Sequence, residues 1–282
     1  MSRGPVRLGP RSIAALVLVS LVGAMAVAWP LFADRASAVT NHAADAPWFF
    51  AALLPLLIAV VVATIADCGM DAKAVAMLGV LAAVGAALRP LGAGTAGLEP
   101  MFFLMVLSGR VLGPGFGFVL GAVTMFASAL LTGGVGPWMP VQMLAMGWFT
   151  MGAGLLPGAA REGVRGRGEL LMLSVYGFVA AFAYGTVTNL YGWVTVGGLG
   201  TGISFQPGEP AHENLVRFLA YVVATSLGWD LGRAALTVVL TMTVGGTLLK
   251  ALRRATRRAN FEAQVTFEGP EVPLRGEAPH RT

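Results

Sequence analysis

The sequence predicts an all-α polytopic membrane protein, and three observations carry that expectation. Of its 282 residues, 56% are hydrophobic and 12% charged, with a mean hydropathy of +0.74. A soluble domain of this size needs about 25% charged residues to cover its surface. Apolar runs of roughly 20 residues recur along the chain, the length at which a helix crosses about 30 Å of hydrocarbon. The strict alternation of lipid-facing barrel strands is missing, which leaves helices as the way to satisfy the backbone in lipid.

Eight spans are expected, over 12–32, 48–66, 74–88, 100–112, 115–131, 141–157, 170–190 and 229–249. The first is led by basic residues and followed by Ala36-Ser37-Ala38, a pattern similar to a signal peptide with its cleavage site. Its apolar run is long for that role, so an uncleaved helix is expected. Several later spans are short or interrupted by glycine and proline, which tilt or local bilayer thinning must accommodate. After the seventh comes the longest external loop, 192–213, rich in glycine, which reads as either functional, a lid if a membrane pocket lies beside it, or disordered. Segment 214–227, NLVRFLAYVVATSL, joined to the last span would make a helix of about 50 Å, too long for one straight crossing. Gly228 offers a break, so a short outer helix followed by the final span is expected.

Positive charge orients the spans. With the N-terminus inside, fifteen of the nineteen Lys and Arg residues fall on cytoplasmic segments, leaving Arg35, Arg89, Arg217 and Arg233 on or near the outside. The reading is a multi-pass protein of the cell membrane with both termini cytoplasmic, in contact with membrane lipids. The same asymmetry explains the basic balance without a nucleic-acid partner. Arg110 and the Arg161, Arg165 and Arg167 loop read as headgroup and topology charges. The tail after Asn260, rich in proline and glutamate, reads as disordered.

Several chemistries are excluded. Cys68 is the single cysteine, so neither an internal disulfide nor a thiolate metal cluster can form. His42, His212 and His280 lack metal-ligand spacing, and no metal site is expected. Neither Lys73 nor Lys250 follows a phosphate-cradling GxxxxGK[ST] loop. HExxH, GxSxG and paired carboxylates are missing too, so no enzyme and no covalently bound cofactor is expected. An ion-driven carrier places carboxylates or broken helices at mid-membrane; here Asp230 is the acidic residue within the apolar zone, with Glu99 at a helix mouth.

Polar residues in this setting are the site candidates. In GGVGPWMPVQMLAMGW (133–148), Trp138 is placed to stack on a planar ligand, or to sit at the membrane interface. Gln142, one turn into the next helix, offers a donor and an acceptor that burial obliges it to use. Arg89 and Glu99 bracket the external loop RPLGAGTAGLE and either pair with each other or face a pocket. Asp230 and Arg233, three residues apart, read as an ion pair. Among Tyr184, Asn189, Tyr191 and Trp193, Asn189 is the better polar candidate and the aromatics suit an interface belt. Met101, Met105, Met125, Met139, Met143 and Met146 line a pocket or fill the core.

Three stretches together resemble one family. FFLMVLSGRVLGPGFGFVLGAVTMFASALL (102–131) resembles the glycine-paced helix-turn-helix of energy-coupling factor transporter substrate-binding (S) components. GPWMPVQMLAMGWFTMGAGLLPG (136–158) is similar to a GPW-P-QM-WG pattern in S components of the cobalamin type. SLGWDLGRAALTVVLTMTVGGTLLKALRRATRR (226–258) resembles the final helix of that group, with its acidic-x-x-Arg step and basic end. The resemblance divides the chain into 1–71, with two extra N-terminal transmembrane helices, a six-helix S-component-like bundle over 72–258, and a tail over 259–282. It implies a vitamin-binding subunit whose pocket opens outward. Such a subunit docks on a transmembrane coupling protein driven by two cytoplasmic ATPases, so ATP is used by partner subunits only. Cobalamin or a corrinoid is the first choice of substrate; riboflavin, another vitamin or a modified nucleobase shares the fold.

The resemblance also implies a small-residue docking stripe on the first core helix. Ala72, Ala76, Gly79, Ala83 and Ala87 supply it in steps along one face, where small residues let another helix approach closely in lipid. Packing inside the bundle is the competing use of that stripe. Two other classes remain open: a stand-alone secondary transporter coupled through Asp230, and a membrane scaffold.

Overall fold

Ten α-helices follow one another in the computed structural model, which describes residues 9–31, 46–67, 72–92, 95–158, 166–195 and 202–259. They are α1 (Pro10–Ala28), α2 (Ala46–Asp67), α3 (Ala72–Leu88), α4 (Met101–Leu112), α5 (Pro114–Thr132), α6 (Met139–Leu155), α7 (Arg167–Thr195), α8 (Ala211–Thr225), α9 (Leu227–Thr243) and α10 (Gly245–Ala259). Ala36-Ser37-Ala38, Cys68, Arg161, Arg165 and the tail from Asn260 lie outside the described residues. No strand occurs among the described residues.

Each expected span meets at least one of these helices. Among the described residues, four helical stretches have spanning length and apolarity: Pro10–Leu31, Ala72–Gly92, Pro114–Thr132 and Arg167–Thr195. A fifth crossing is made if α8 and α9 count together, bent by 62°. Exposed Leu21, Met25, Val80, Val179, Leu219 and Val223 give these helices apolar outer faces, which suit lipid rather than water. This is an α-helical membrane-embedded protein.

The centre of the bundle is α4. Eleven of its 12 residues are buried, and at 1.5 Å per residue it reaches only about 18 Å. So short a helix is stable at membrane depth because protein surrounds it. Helices α5 and α6 enclose it at van der Waals limits set by glycine. A Cβ on Gly117 would stand 2.9 Å from the Thr150 carbonyl oxygen. One on Gly121 would run into the Met146 carbonyl. The glycine pacing seen in the sequence is therefore a backbone-to-backbone contact.

The two N-terminal helices pack on the outer side of α6. Trp148 Nε1 on α6 donates to Ser20 Oγ on α1 at 2.9 Å, and Gly23 of α1 receives the Leu144 side chain. On the opposite flank, α3 turns Ala74, Leu78, Leu81, Ala82, Gly85 and Ala86 inward.

Three expectations need correction. The final span does not run unbroken over 229–249: α9 ends at Thr243 and α10 begins at Gly245. Val244, followed by Gly245 and Gly246, interrupts the helix where the sequence changes from apolar to basic. The break before α9 falls at Ser226 rather than Gly228. Arg110 is not a headgroup charge. Its side chain is 0% exposed, and Nε donates to Glu169 Oε1 at 2.8 Å. Nη1 donates to the Leu156 and Pro157 carbonyl oxygens at 2.9 and 3.0 Å. Arg253 of α10 donates to the same Glu169 oxygen at 2.6 Å. Glu169, 1% exposed, is thus a second acidic residue inside the bundle, tying α4, α7 and α10 together.

Replacing Glu169 with Gln leaves Arg110 charged and buried without a counter-ion, a loss of about 3–5 kcal/mol. Arg253→Ala costs less, since Arg253 is 31% exposed and solvent screens it. Thermal unfolding in detergent, followed by tryptophan fluorescence, checks the order of the two.

Candidate functional site

At the end of the bundle opposite Glu169, the loop between α3 and α4 rests directly on the start of α9. Two glycines allow this. Gly97 has φ +86°, and a Cβ there would run into the Trp229 carbonyl. A Cβ on Gly232 would run into the Ala96 carbonyl oxygen. The contact delivers Glu99, just before α4, to Arg233 on α9.

Arg233 holds two carboxylates at once. Its Nε donates to Glu99 Oε2 at 3.0 Å and its Nη1 to Asp230 Oδ1 at 2.8 Å. The guanidinium also lies 4.7 Å from the Phe102 ring centroid and 5.0 Å from that of Tyr184, a cation–π arrangement. Ser226, at the break between α8 and α9, donates its hydroxyl to Asp230 Oδ2 at 2.8 Å. Asp230 also presses on α7, where any side chain on Gly185 would occupy its carboxylate. The expected Asp230–Arg233 pair is present, with Glu99 as a third member.

Arg89 does not pair with Glu99, which is the fourth correction. Arg233 takes Glu99, because the loop turns back over α9. Arg89, at the end of α3, instead donates from Nη1 to Ser128 Oγ at 3.1 Å on α5. Its Nη2 donates to Gln142 Oε1 at 3.3 Å on α6. Tyr184, buried on α7, stands against the Arg233 guanidinium and packs edge-on to Phe102 at 4.9 Å between ring centroids.

The other candidates fall at different distances from this centre. Trp138 folds back on its own turn, donating Nε1 to the Gly134 carbonyl at 3.1 Å, and is 41% exposed. It therefore closes the α5–α6 connection, which Gly133 starts in the left-handed region at φ +67°. Asn189 lies on α7 one turn beyond Gly185, and its Nδ2 is buried with no hydrogen-bond partner. Trp193 is 1% exposed and packs on Phe205 and Phe218. It donates to the Ile203 carbonyl at 2.7 Å, pinning the described part of the long loop. The six methionines are all buried and fill the core.

Ser128, Ser226 and Tyr184 are the partners that sequence reading passed over or undervalued. A signal existed for two of them. Thr124, Ser128 and Thr132 step by four along apolar α5, and Ser226 stands four residues before Asp230. The arrangement offers donors and carboxylates fixed by one another. Among the described residues no three His, Cys, Asp or Glu side chains converge to hold a metal ion.

A double-mutant cycle between Glu99→Gln and Arg233→Met is expected to show a coupling of about 0.5–3 kcal/mol in unfolding free energy. Strict additivity would mean that the loop is held by its backbone contacts alone. No protein-family model, curated protein or solved structure matches the chain.

Proposed function

We propose that the chain is the membrane substrate-binding subunit of an energy-coupling factor importer. It captures a vitamin-class micronutrient from outside and hands it on with energy from a coupling protein and two ATPases. The carrying observation is the convergence of polar side chains from distant parts of an apolar chain at one end of the bundle. Arg89, Ser128, Gln142, Glu99, Tyr184, Asp230 and Arg233 come from the end of α3, α5, α6, the α3–α4 loop, α7 and α9. Polar groups in membrane segments are costly, and their usual use is a substrate or ion path.

The face of α3 supports the same reading. Ala72, Ala76, Gly79, Ala83 and Ala87 are all exposed, and nothing lies within 4 Å of a Cβ built on Gly79. The stripe is therefore not used inside the bundle, and it leaves a smooth surface for a coupling helix. A secondary transporter coupled through Asp230 has less support, because that carboxylate is engaged by Arg233 and Ser226. In this reading the Arg89 end faces outward, the Glu169 end faces the cytoplasm with both termini, and the protein resides in the cell membrane. A corrinoid is the first substrate to test, followed by riboflavin, other vitamins and modified nucleobases.

Titration of the purified protein against that panel, with mass spectrometry of co-purified small molecules, is the direct test. One compound is expected to bind with a Kd below about 1 μM, near −8 kcal/mol. Leucine at Ala76 and Ala83 is expected to reduce co-purification with the coupling protein at least tenfold while ligand binding persists. Uptake by the protein alone in liposomes, driven by an ion gradient, would defeat the reading.

A further inference from the structure

Five arginines among the described residues are not exposed: Arg89, Arg110, Arg217, Arg233 and Arg253. Four of them reach a carboxylate: Arg110 and Arg253 share Glu169, Arg217 lies 3.7 Å from Glu213, and Arg233 holds Glu99 and Asp230. Arg89 alone of these rests on neutral acceptors, the Ser128 hydroxyl and the Gln142 amide oxygen. Those bonds use two of its five N–H groups. A half-buried guanidinium gains far more from a charged acceptor, and its planar fork fits an anionic oxygen pair bidentately.

The surrounding charges do not supply that acceptor. Glu99 and Asp230 are both engaged by Arg233, so the formal charge is −1 on the Arg233 side and +1 at Arg89. Ser128 is fully buried and Gln142 half-buried, which fixes the guanidinium by two helices instead of leaving it to turn into solvent. The position is that of a cation held ready.

We propose that Arg89 anchors an anionic oxygen group of the ligand, a carboxylate or a phosphate ester, with Ser128 and Gln142 as positioning residues. The proposal rests on the substrate-binding reading and narrows its substrate to compounds that carry such a group. Neutral vitamins are excluded by it.

Matched pairs of acid and neutral compound test it in detergent-solubilised full-length protein. Biotin with biotinamide, pantothenate with pantothenol and nicotinate with nicotinamide serve for carboxylates; cobalamin with cobinamide serves for a phosphodiester. For the pair that binds, the anionic member is expected to be favoured at least tenfold. Arg89→Gln is expected to abolish that preference and Arg89→Lys to keep part of it. Gln142→Glu gives Arg89 an internal carboxylate, so it is expected to lower affinity for the anionic member at least tenfold while thermal stability holds or rises. Equal affinity for both members, or unchanged discrimination in Arg89→Gln and in Gln142→Glu, overturns the proposal and leaves the importer reading standing. Binding of no compound in either class overturns both.

Discussion

The contact on which the rest of the structure depends is the approach of α5 to α6, backbone against backbone. In lipid, helices gain little from hiding apolar surface from each other, so association rests on how closely they fit. Gly117 and Gly121 let α5 lie on the Met146 and Thr150 carbonyls, and Gly109 lets α4 reach the Thr150 carbonyl from the other side. The α6 carbonyls meet further partners: Thr150 donates its hydroxyl to Met146, and Tyr176 of α7 donates to Phe149 at 2.5 Å. Fixing α5 and α6 in this way also fixes Ser128 at one end of the first and Gln142 at the start of the second. The Arg89 cradle is a consequence of glycine placement as much as of polar chemistry.

Charge then joins the remaining helices at the two ends of α4. At one end Glu169 draws Arg110 and Arg253 together, so α7 and α10 are held to the central helix. At the other, Arg233 draws in Glu99 and Asp230, so the α3–α4 loop is held to α9. Among the described residues each fully buried charge has a charged partner, because an unpaired one at membrane depth would cost several kcal/mol. The difference between the ends lies in which group is left with neutral partners. At the Arg89 end it is a guanidinium on two neutral side chains, Ser128 of α5 and Gln142 of α6.

What could be read from the sequence was what is local. Apolar runs located the helices, and the glycine pacing of 102–131 was visible in the sequence although the α6 carbonyls it meets were not. Asp230 and Arg233 share one helical turn, so their pairing followed from spacing alone. Residues far apart were harder. Arg89 meets Ser128 and Gln142 across 39 and 53 positions, and nothing local distinguishes that from pairing with Glu99. Arg110 looked like a headgroup charge because Glu169, 59 residues on, lies next to it only once α4 and α7 are packed. Gly228 was the more obvious helix breaker, but the Ser226 side chain has a partner in Asp230, which favours the break two residues earlier. Trp138 drew attention for its type, whereas its immediate neighbours Gly134 and Gly136 are what it packs on.

One helix links the two surfaces that matter for the proposed function. Helix α3 carries Arg89 at its C-terminal end, and its exposed small-residue face runs back along the same rigid element. Its inner face is keyed to α5 at Gly85, where a Cβ would stand 2.7 Å from Thr124. A partner helix lying on Ala76 and Ala83 would therefore press on the same lever that aims Arg89 at Ser128 and Gln142. Ligand held by Arg89 would in turn restrain α3 against rotation. Coupling of this kind is reciprocal by thermodynamic necessity: if docking tilts α3 and draws Arg89 from its cradle, bound ligand must oppose docking by the same free energy. On the proposed importer reading, contact energy gained on the outer face of α3 would be what drives release of the ligand.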